Sequence, residues 1–472
     1  MVPFLFTARR QVVRRLGRAA LYGLLVGTVA GSSATAFGEQ NATPYDVLRE
    51  AWAPYVNEGD PYGFPLKVSS IAESKYKFWR GTKDLYYRWA KGNTADWLDD
   101  ESSYVICHGD LHPGNIGTYA VAQQELAFGW VDFDDSARLP FQLELLHGLI
   151  SLHVIAETNS IALSGDSRTK MVEALVGRYR DALTSEAASK AHLAANGWVQ
   201  KLLAKSHKPF DSARKELLDE TGQFRATVEN KSGKIKEVLQ DASDQADAIA
   251  AALAVAIDES AQLKAKFRIK GIPAVRASIK DIASRARVGS SGSQGLRKYY
   301  VLLANPLSDL DGDAVVYLKQ QIPSAAERAG IVPPDDRTPA QRCVANMQVA
   351  LEPHPWVCGA VEVNGASYWI SLREPWSDEL DAEDIGDLAA LREMAEIWGT
   401  VTGAAHRRSA SDPAVIAARL TPELTQALDA RAIAYGQHLA TDYAAILADA
   451  RTANDIEQVK KALTAAGKMH AR

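Results

Sequence analysis

Two short segments limit what this chain can fold into and do. Residues 105–116 read V-I-C-H-G-D-L-H-P-G-N-I and place His108, Asp110 and Asn115 in the frame H-x-D-x-x-x-x-N. Residues 130–135 read W-V-D-F-D-D and put Asp132 and Asp134 at the end of an apolar run. Both segments pair a short run rich in β-branched and aromatic residues, read as a buried strand, with acidic residues at its end. A Pro113-Gly114 turn lies between them. Rigid scaffolds place reactive groups where strand gives way to loop. Phosphoryl transfer needs positioned phosphates, a divalent cation and a group that takes the acceptor's proton. Asp110 is the candidate base. Asn115, Asp132 and Asp134 are candidate magnesium ligands, because Mg²⁺ prefers hard oxygen donors. His108 reads as a residue that holds the loop backbone. A hydrolase with Cys107 as nucleophile and His108 as base is disfavoured, since adjacent strand residues point to opposite faces.

A second pattern supplies the complement. Gly289, Gly292 and Gly295 form G-x-x-G-x-x-G between two strand-like runs. Such a loop lets backbone N–H groups approach phosphate oxygens without obstruction by Cβ. Lys319 lies centrally in the following strand-like run, residues 314–321. A lysine in a buried strand needs an anionic partner. A triphosphate would serve, as would a helix glutamate, for which Glu327 is the nearest candidate. Arg80 or Lys77, in an aromatic helical segment, could face the phosphates. The cofactors expected are therefore ATP and Mg²⁺.

The remaining organisation is legible in outline. Residues 44–100 read as helices with aromatic clusters, and 141–155 as an apolar core helix. Residues 166–268 are almost wholly helical in pattern, with 231–236 as a solvated mixed-charge stretch. Residues 285–375 read as a small antiparallel sheet with one helix over 338–351. Within it, Asn364-Gly365 between apolar runs predicts a hairpin. Residues 384–465 return to helix.

At the N-terminus, five arginines between Arg9 and Arg18 precede an apolar run over 19–31 and a small-residue site at 34–36. This is the layout of a secretory signal peptide over residues 1–36. It predicts export to the periplasm, with membrane contact only through this segment; the alternative is a cytoplasmic protein whose true start lies downstream. The net charge of −5 gives no reason to expect nucleic acid as a partner. Three cysteines exclude a disulfide framework, although Cys343 and Cys358 could pair in an exported protein.

The first two segments resemble the aminoglycoside phosphotransferase and choline kinase group, which carries H-G-D-x-H-x-x-N near I-D-x-[DE]. More of the chain resembles a bacterial family known as domain of unknown function 2252, placed among kinase-like folds. The shared features are residues 78–81 (FWRG), the 109–117 run, residues 132–135 (DFDD), the 289–295 loop with Arg297 and Tyr299, the strand ending in Lys319, and Gln341, Arg342 and Gln348 before 368–373. The resemblance implies an α+β, two-lobed, protein-kinase-like fold. Because the catalytic segment precedes the glycine loop, it implies a circular permutation. The large helical catalytic lobe would span 44–280 plus 376–472. The small antiparallel-sheet nucleotide lobe would span 281–375, with 373–376 as hinge. Two positions depart from these patterns: Gln320 where the family has an acid, and Glu144 where the phosphotransferases have an aspartate. The implied function is an ATP- and Mg-dependent phosphotransferase acting on a hydroxyl of a small molecule or a protein. The alternatives are a non-catalytic kinase-like module in the cell envelope and a nucleotidyl (AMP) transferase. Export would place the nucleotide site where ATP is scarce.

Overall fold

In the run A-V-V-Y-L-K-Q-Q, side chains alternate between two environments, as a strand with both faces covered requires. This run is β9 of eleven strands in a computed structural model that describes residues 42–56, 59–288 and 292–470. The expected export segment, 1–36, and Gly289 lie outside the described residues. In chain order the strands are β1 Tyr104–Cys107, β2 Ile116–Ala122, β3 Glu125–Trp130, β4 Ala137–Pro140, β5 Thr227–Glu229, β6 Ile235–Asp241, β7 Ile279–Arg287, β8 Lys298–Leu303, β9 Ala314–Gln321, β10 Gly359–Val363 and β11 Ala366–Leu372. The fold is α+β.

Seven strands form one antiparallel sheet in the order β10-β11-β9-β8-β7-β6-β5. Val316 and Leu318 of β9 join Tyr368 and Ile370 of β11 in one apolar layer. The helix Ala246–Glu259 covers that layer with Ile249, Leu253 and Ile257. The opposite face carries Tyr317 and Lys319, and the register sets Lys298 of β8 and Trp369 of β11 on either side of Lys319. The helix Pro339–Ala350 is closed by a Thr338–Gln341 capping box and leads into the β10–β11 hairpin. Asn364 and Gly365 both take positive φ at the hairpin turn, as expected.

The sheet corrects two expectations. The stretch expected to be helical contains β5 and β6, so the sheet begins at Thr227 rather than near 281. Residues 230–234 form the turn between these strands, where Asn230 Oδ1 accepts from the backbone N–H groups of Ser232 and Lys234, and Ile235 and Lys236 of the 231–236 stretch open β6. The signal was present as an N-K-S-G turn followed by Ile235, Val238 and Leu239. Charge density in the turn hid it.

β1 pairs with β4, and β2 with β3, as two short ribbons set among helices. The helix Phe141–Thr158 is apolar on nearly every side and runs through the middle of this larger core. The helix Leu388–Ser409 crosses Gly165–Thr184 at Gly399 and Gly403. A Cβ at Gly399 would lie 2.3 Å from the Leu175 carbonyl oxygen, and one at Gly403 would lie 2.4 Å from that of Tyr179. The two backbones thus touch. All three cysteines are buried and free, so the Cys343–Cys358 pairing is not formed. No helix among the described residues is long and apolar enough to cross a membrane.

The crossing gives a test of sign. Glycine to alanine inside a helix ordinarily stabilises by about 1 kcal/mol. Gly436→Ala should behave that way, because nothing lies within 4 Å of the new methyl. Gly403→Ala should instead destabilise by about 1–3 kcal/mol through overpacking. Urea denaturation of the two variants beside the parent decides it; a stabilised Gly403→Ala would refute the contact.

Candidate functional site

The two acidic segments are fastened together before any ligand is considered. Gly109 adopts φ +80°, and a Cβ there would sit 2.2 Å from the Asp135 carbonyl oxygen, so only glycine permits this approach. His108 Nε2 lies 2.7 Å from the Val131 carbonyl oxygen, and the Asp110 N–H donates to His108 Nδ1 at 3.3 Å. His108 therefore holds the loop, as expected. Asn115 Nδ2 donates to the Asp110 carbonyl oxygen at 2.8 Å. Glu144 accepts from the Gly109 N–H at 3.1 Å. These bonds fix the backbone on both sides of Asp110.

Around this frame, four carboxylates meet two lysines. Lys83, from the helix Lys83–Asn93, reaches Asp110 at 2.7 Å and Asp135 at 2.8 Å, and all three side chains are buried. Lys319, from β9, reaches Asp132 and Asp134, each at 2.6 Å. Gln321 Nε2 adds a bond to Asp134 at 2.7 Å. The expected partner of Lys319, Glu327, is not the one found. Glu327 sits in the short helix Ala325–Arg328, and the Asp132–Asp134 loop supplies the negative charge instead.

The charges set the protonation states. Burial opposes ionisation of Asp110, but the Lys83 ammonium outweighs it and holds the carboxyl well below its usual range. Asp132 follows the same pattern, with Lys319 overcoming burial. Asp134 is pushed up to about 6, first by burial and then by the neighbouring Asp132 charge. Asp132 is the most open of the four, with 42% of its side chain exposed. Its backbone is held at φ +64°, a left-handed conformation that is uncommon for a non-glycine residue.

Asp132 and Lys319 lie on the wall of a cavity of about 810 Å³ between the sheet and the helical core. Arg80 and Gly114 line it from the helical side. Arg285, Tyr317 and Arg373 line it from the sheet side. Arg80 Nε donates to His112 Nε2 at 3.2 Å, and that nitrogen lies 3.6 Å from Asp110. Burial and then Arg80 push the His112 pKa down to about 3, so the ring is neutral. Arg80 is thus coupled to Asp110 through His112. Lys77 pairs with Glu73 and is not on the cavity wall.

The described part of the glycine loop, Gly292 and Gly295 included, has its own setting. Among the described residues, Gly292 and Ser293 line a small separate crevice with Lys83, Asp134 and Asp135, not the large cavity. Lys67 donates to the Gly292 carbonyl oxygen at 3.1 Å, and Lys298 to that of Ser293 at 2.6 Å. A Cβ at Gly295 would meet the Gly63 carbonyl oxygen at 2.6 Å. The loop is therefore seated on the N-terminal helices.

The chain belongs to the domain of unknown function 2252 family. The model of that family, described as uncharacterized proteins conserved in bacteria, matches residues 60–449. No curated protein and no solved structure matches the chain. The match spans both acidic segments, the glycine loop, Lys319 and Arg80, so every described site residue lies inside the family domain.

Several site residues were missed from sequence. Lys83 and Asp84 stand side by side in an aromatic helix, each charged and each buried; Asp84 pairs with Arg328 at 2.7 Å. Nothing in the local pattern distinguishes them from a solvated pair. Asp135 was visible as the third carboxylate of D-F-D-D, without a partner to give it meaning. The Arg285–Glu237 pair, at 2.6 Å, joins strands that are paired only in the folded chain.

Two outcomes follow. Lys83→Met should destabilise by about 3–5 kcal/mol, because it leaves two buried carboxylates without their cation. Denaturant midpoints measure this, and a loss under about 1 kcal/mol would show the bridge to be peripheral. The second concerns pH. Burial lowers His147 to about 4 and His112 to about 3. Both folded values lie below the unfolded value of 6.5. Their contribution is therefore complete above pH 6.5 and is lost as pH falls, at up to about 1.4 kcal/mol per pH unit for each ring. Urea midpoints at pH 7.5 and 5.0 should show the fall, and His147→Gln should flatten it.

Proposed function

We propose that this protein is an ATP- and Mg-dependent phosphotransferase with a permuted kinase-like fold, acting on a hydroxyl acceptor. The observation that carries the reading is the convergence of Asp132 and Asp134 on Lys319, each at 2.6 Å, with Asp132 and Lys319 on the cavity wall. The order β7, glycine loop, β8, lysine strand β9, helix, β10, β11 matches the sequence of parts in a kinase nucleotide lobe, including a lysine on its third strand. β5 and β6 extend the sheet beyond that set. The segment after Leu372 would be the hinge, and the acidic segments would be the catalytic and metal loops, met earlier in the chain than in ordinary kinases.

The donor set suits magnesium. Asp132, Asp134 and Asn115 would hold it, since all three offer hard oxygen atoms and the Asp132 carboxylate is open to the cavity. Bound there, the ion would neutralise phosphate charge. Asp110 would orient the acceptor hydroxyl and take its proton; its Oδ1 is buried without a hydrogen-bond partner, which leaves an oxygen for that task. Lys319 and Arg80 would hold phosphate oxygens from opposite sides of the cavity. The acceptor is a small molecule or a protein hydroxyl.

A specific observation favours a second reading. Lys83 holds Asp110 in an ion pair, and the described part of the glycine loop lines a separate crevice and not the large cavity. A non-catalytic nucleotide-binding module would tolerate both. AMP transfer instead of phosphate transfer would use the same metal ligands.

Thermal-shift measurements with and without Mg-ATP test binding first. The expected result is a rise in Tm of several degrees that needs magnesium and is lost in Asp132→Asn and Lys319→Met. Incubation with ATP labelled at the γ- or the α-phosphate then separates phosphate from AMP transfer. Asp110→Asn should retain the Mg-ATP shift and lose label transfer by at least about 100-fold. Absence of any Mg-ATP shift in the parent protein would overturn the reading.

A further inference from the structure

Beside the loop that carries Asp110, and not on the wall of the large cavity, lie three side chains to which the nucleotide reading gives no ligand. Cys107 ends β1, Glu144 lies in the helix Phe141–Thr158, and His406 lies in the helix Leu388–Ser409. All three are buried, at 0%, 2% and 0% exposure. One ligand atom from each comes within 4.8 Å of the others. Cys107 and Glu144 are 37 positions apart (144 − 107) and His406 lies 262 beyond Glu144 (406 − 144), so no short motif marks them.

Their remaining bonds are the telling feature. Glu144 Oε2 is anchored by the Gly109 N–H, while Oε1 has no hydrogen-bond partner. His406 Nδ1 is anchored by the Tyr179 hydroxyl at 2.9 Å, while Nε2 has none. Cys107 Sγ makes long contacts, 3.7 and 3.8 Å, to the Leu139 and Pro140 carbonyl oxygens, and its thiol also interacts with the Glu144 carboxyl. A buried polar atom without a partner is costly, and here two of the three clustered side chains each carry one. Fixing one atom of each ligand so that the other is aimed is how outer partners orient metal ligands.

We propose that Cys107, Glu144 and His406 bind a divalent transition ion of zinc's class, with a water as the fourth ligand. Thiolate, carboxylate and imidazole together offer soft and borderline donors, and two negative charges neutralise the ion in the buried site. Zinc bonds of about 2.0–2.3 Å place ligand atoms about 3.3–3.8 Å apart, so a contraction of about an ångström closes the cage. The ion would tie β1 and two helices together. Through Glu144 it would also hold the Gly109 backbone, next to Asp110. This centre is distinct from the magnesium ligands and stands whether or not the protein transfers phosphate.

The test uses the full chain, purified without chelators from zinc-supplemented and from cobalt-supplemented cultures. Elemental analysis should find about one equivalent of metal per chain. The cobalt form should show a thiolate-to-cobalt charge-transfer band in the near ultraviolet. Cys107→Ser should lose that band, and Cys107→Ser with His406→Gln should lose the metal. If the variants fail to fold, the parent's metal content and cobalt spectrum decide alone. Less than about a tenth of an equivalent in both preparations, with no cobalt band, would overturn the centre and leave the three groups as a neutral hydrogen-bonding cluster.

Discussion

Four aspartates of two neighbouring segments are drawn out of bulk water by two lysines, and the site depends on that neutralisation. Without Lys83 and Lys319 the mutual repulsion of Asp110, Asp132, Asp134 and Asp135 would add to the cost of burying each. The lysines come from opposite directions: Lys83 from the N-terminal helices, Lys319 from the centre of the sheet. Each bridge therefore also joins structural parts. Lys319 fastens the sheet to the acidic loop, and Lys83 fastens the N-terminal helices to the same loop from behind.

The two bridges differ in what they leave open. Lys83, Asp110 and Asp135 are nearly sealed, and the one ammonium offsets part of the charge of both carboxylates. Asp132 stays partly exposed on the cavity wall, where its charge can meet a ligand. The pair thus divides labour between holding the loop and presenting it. His112 lies between the halves, its Nε2 accepting from Arg80 and lying 3.6 Å from Asp110. A change of charge in the cavity is felt at the buried carboxylate over a short distance, Arg80 and Asp110 meeting at one nitrogen of His112.

Much of the site was legible because its residues are close together in the chain. His108, Asp110, Asn115, Asp132 and Asp134 fall within two short segments, and the strand–loop boundaries that carry them follow from local composition. Lys319 was legible as a charged residue in an apolar strand, and Asn364-Gly365 as a hairpin turn. Lys83 was not, because a lysine beside an aspartate in a helix looks the same in sequence whether it faces water or a carboxylate pair. The partner of Lys319 was misplaced for a related reason. Proximity along the chain favoured Glu327, whereas Asp132 and Asp134 are 187 and 185 positions away (319 − 132 and 319 − 134). β5 and β6 were hidden by the charged turn between them.

The amino-acid order by itself determined the acidic loop, the lysine strand, the hairpin and the mixed helix–sheet composition, because each rests on interactions among residues a few positions apart. It also carried the family assignment, which is a property of ordered motifs. Only the tertiary structure decided which cation neutralises which carboxylate, where the glycine loop is seated, and that Cys107, Glu144 and His406 share one buried point. Those are long-range pairings. Their energies depend on burial and on distances of a few ångströms, and neither exists until the sheet and the helices have packed.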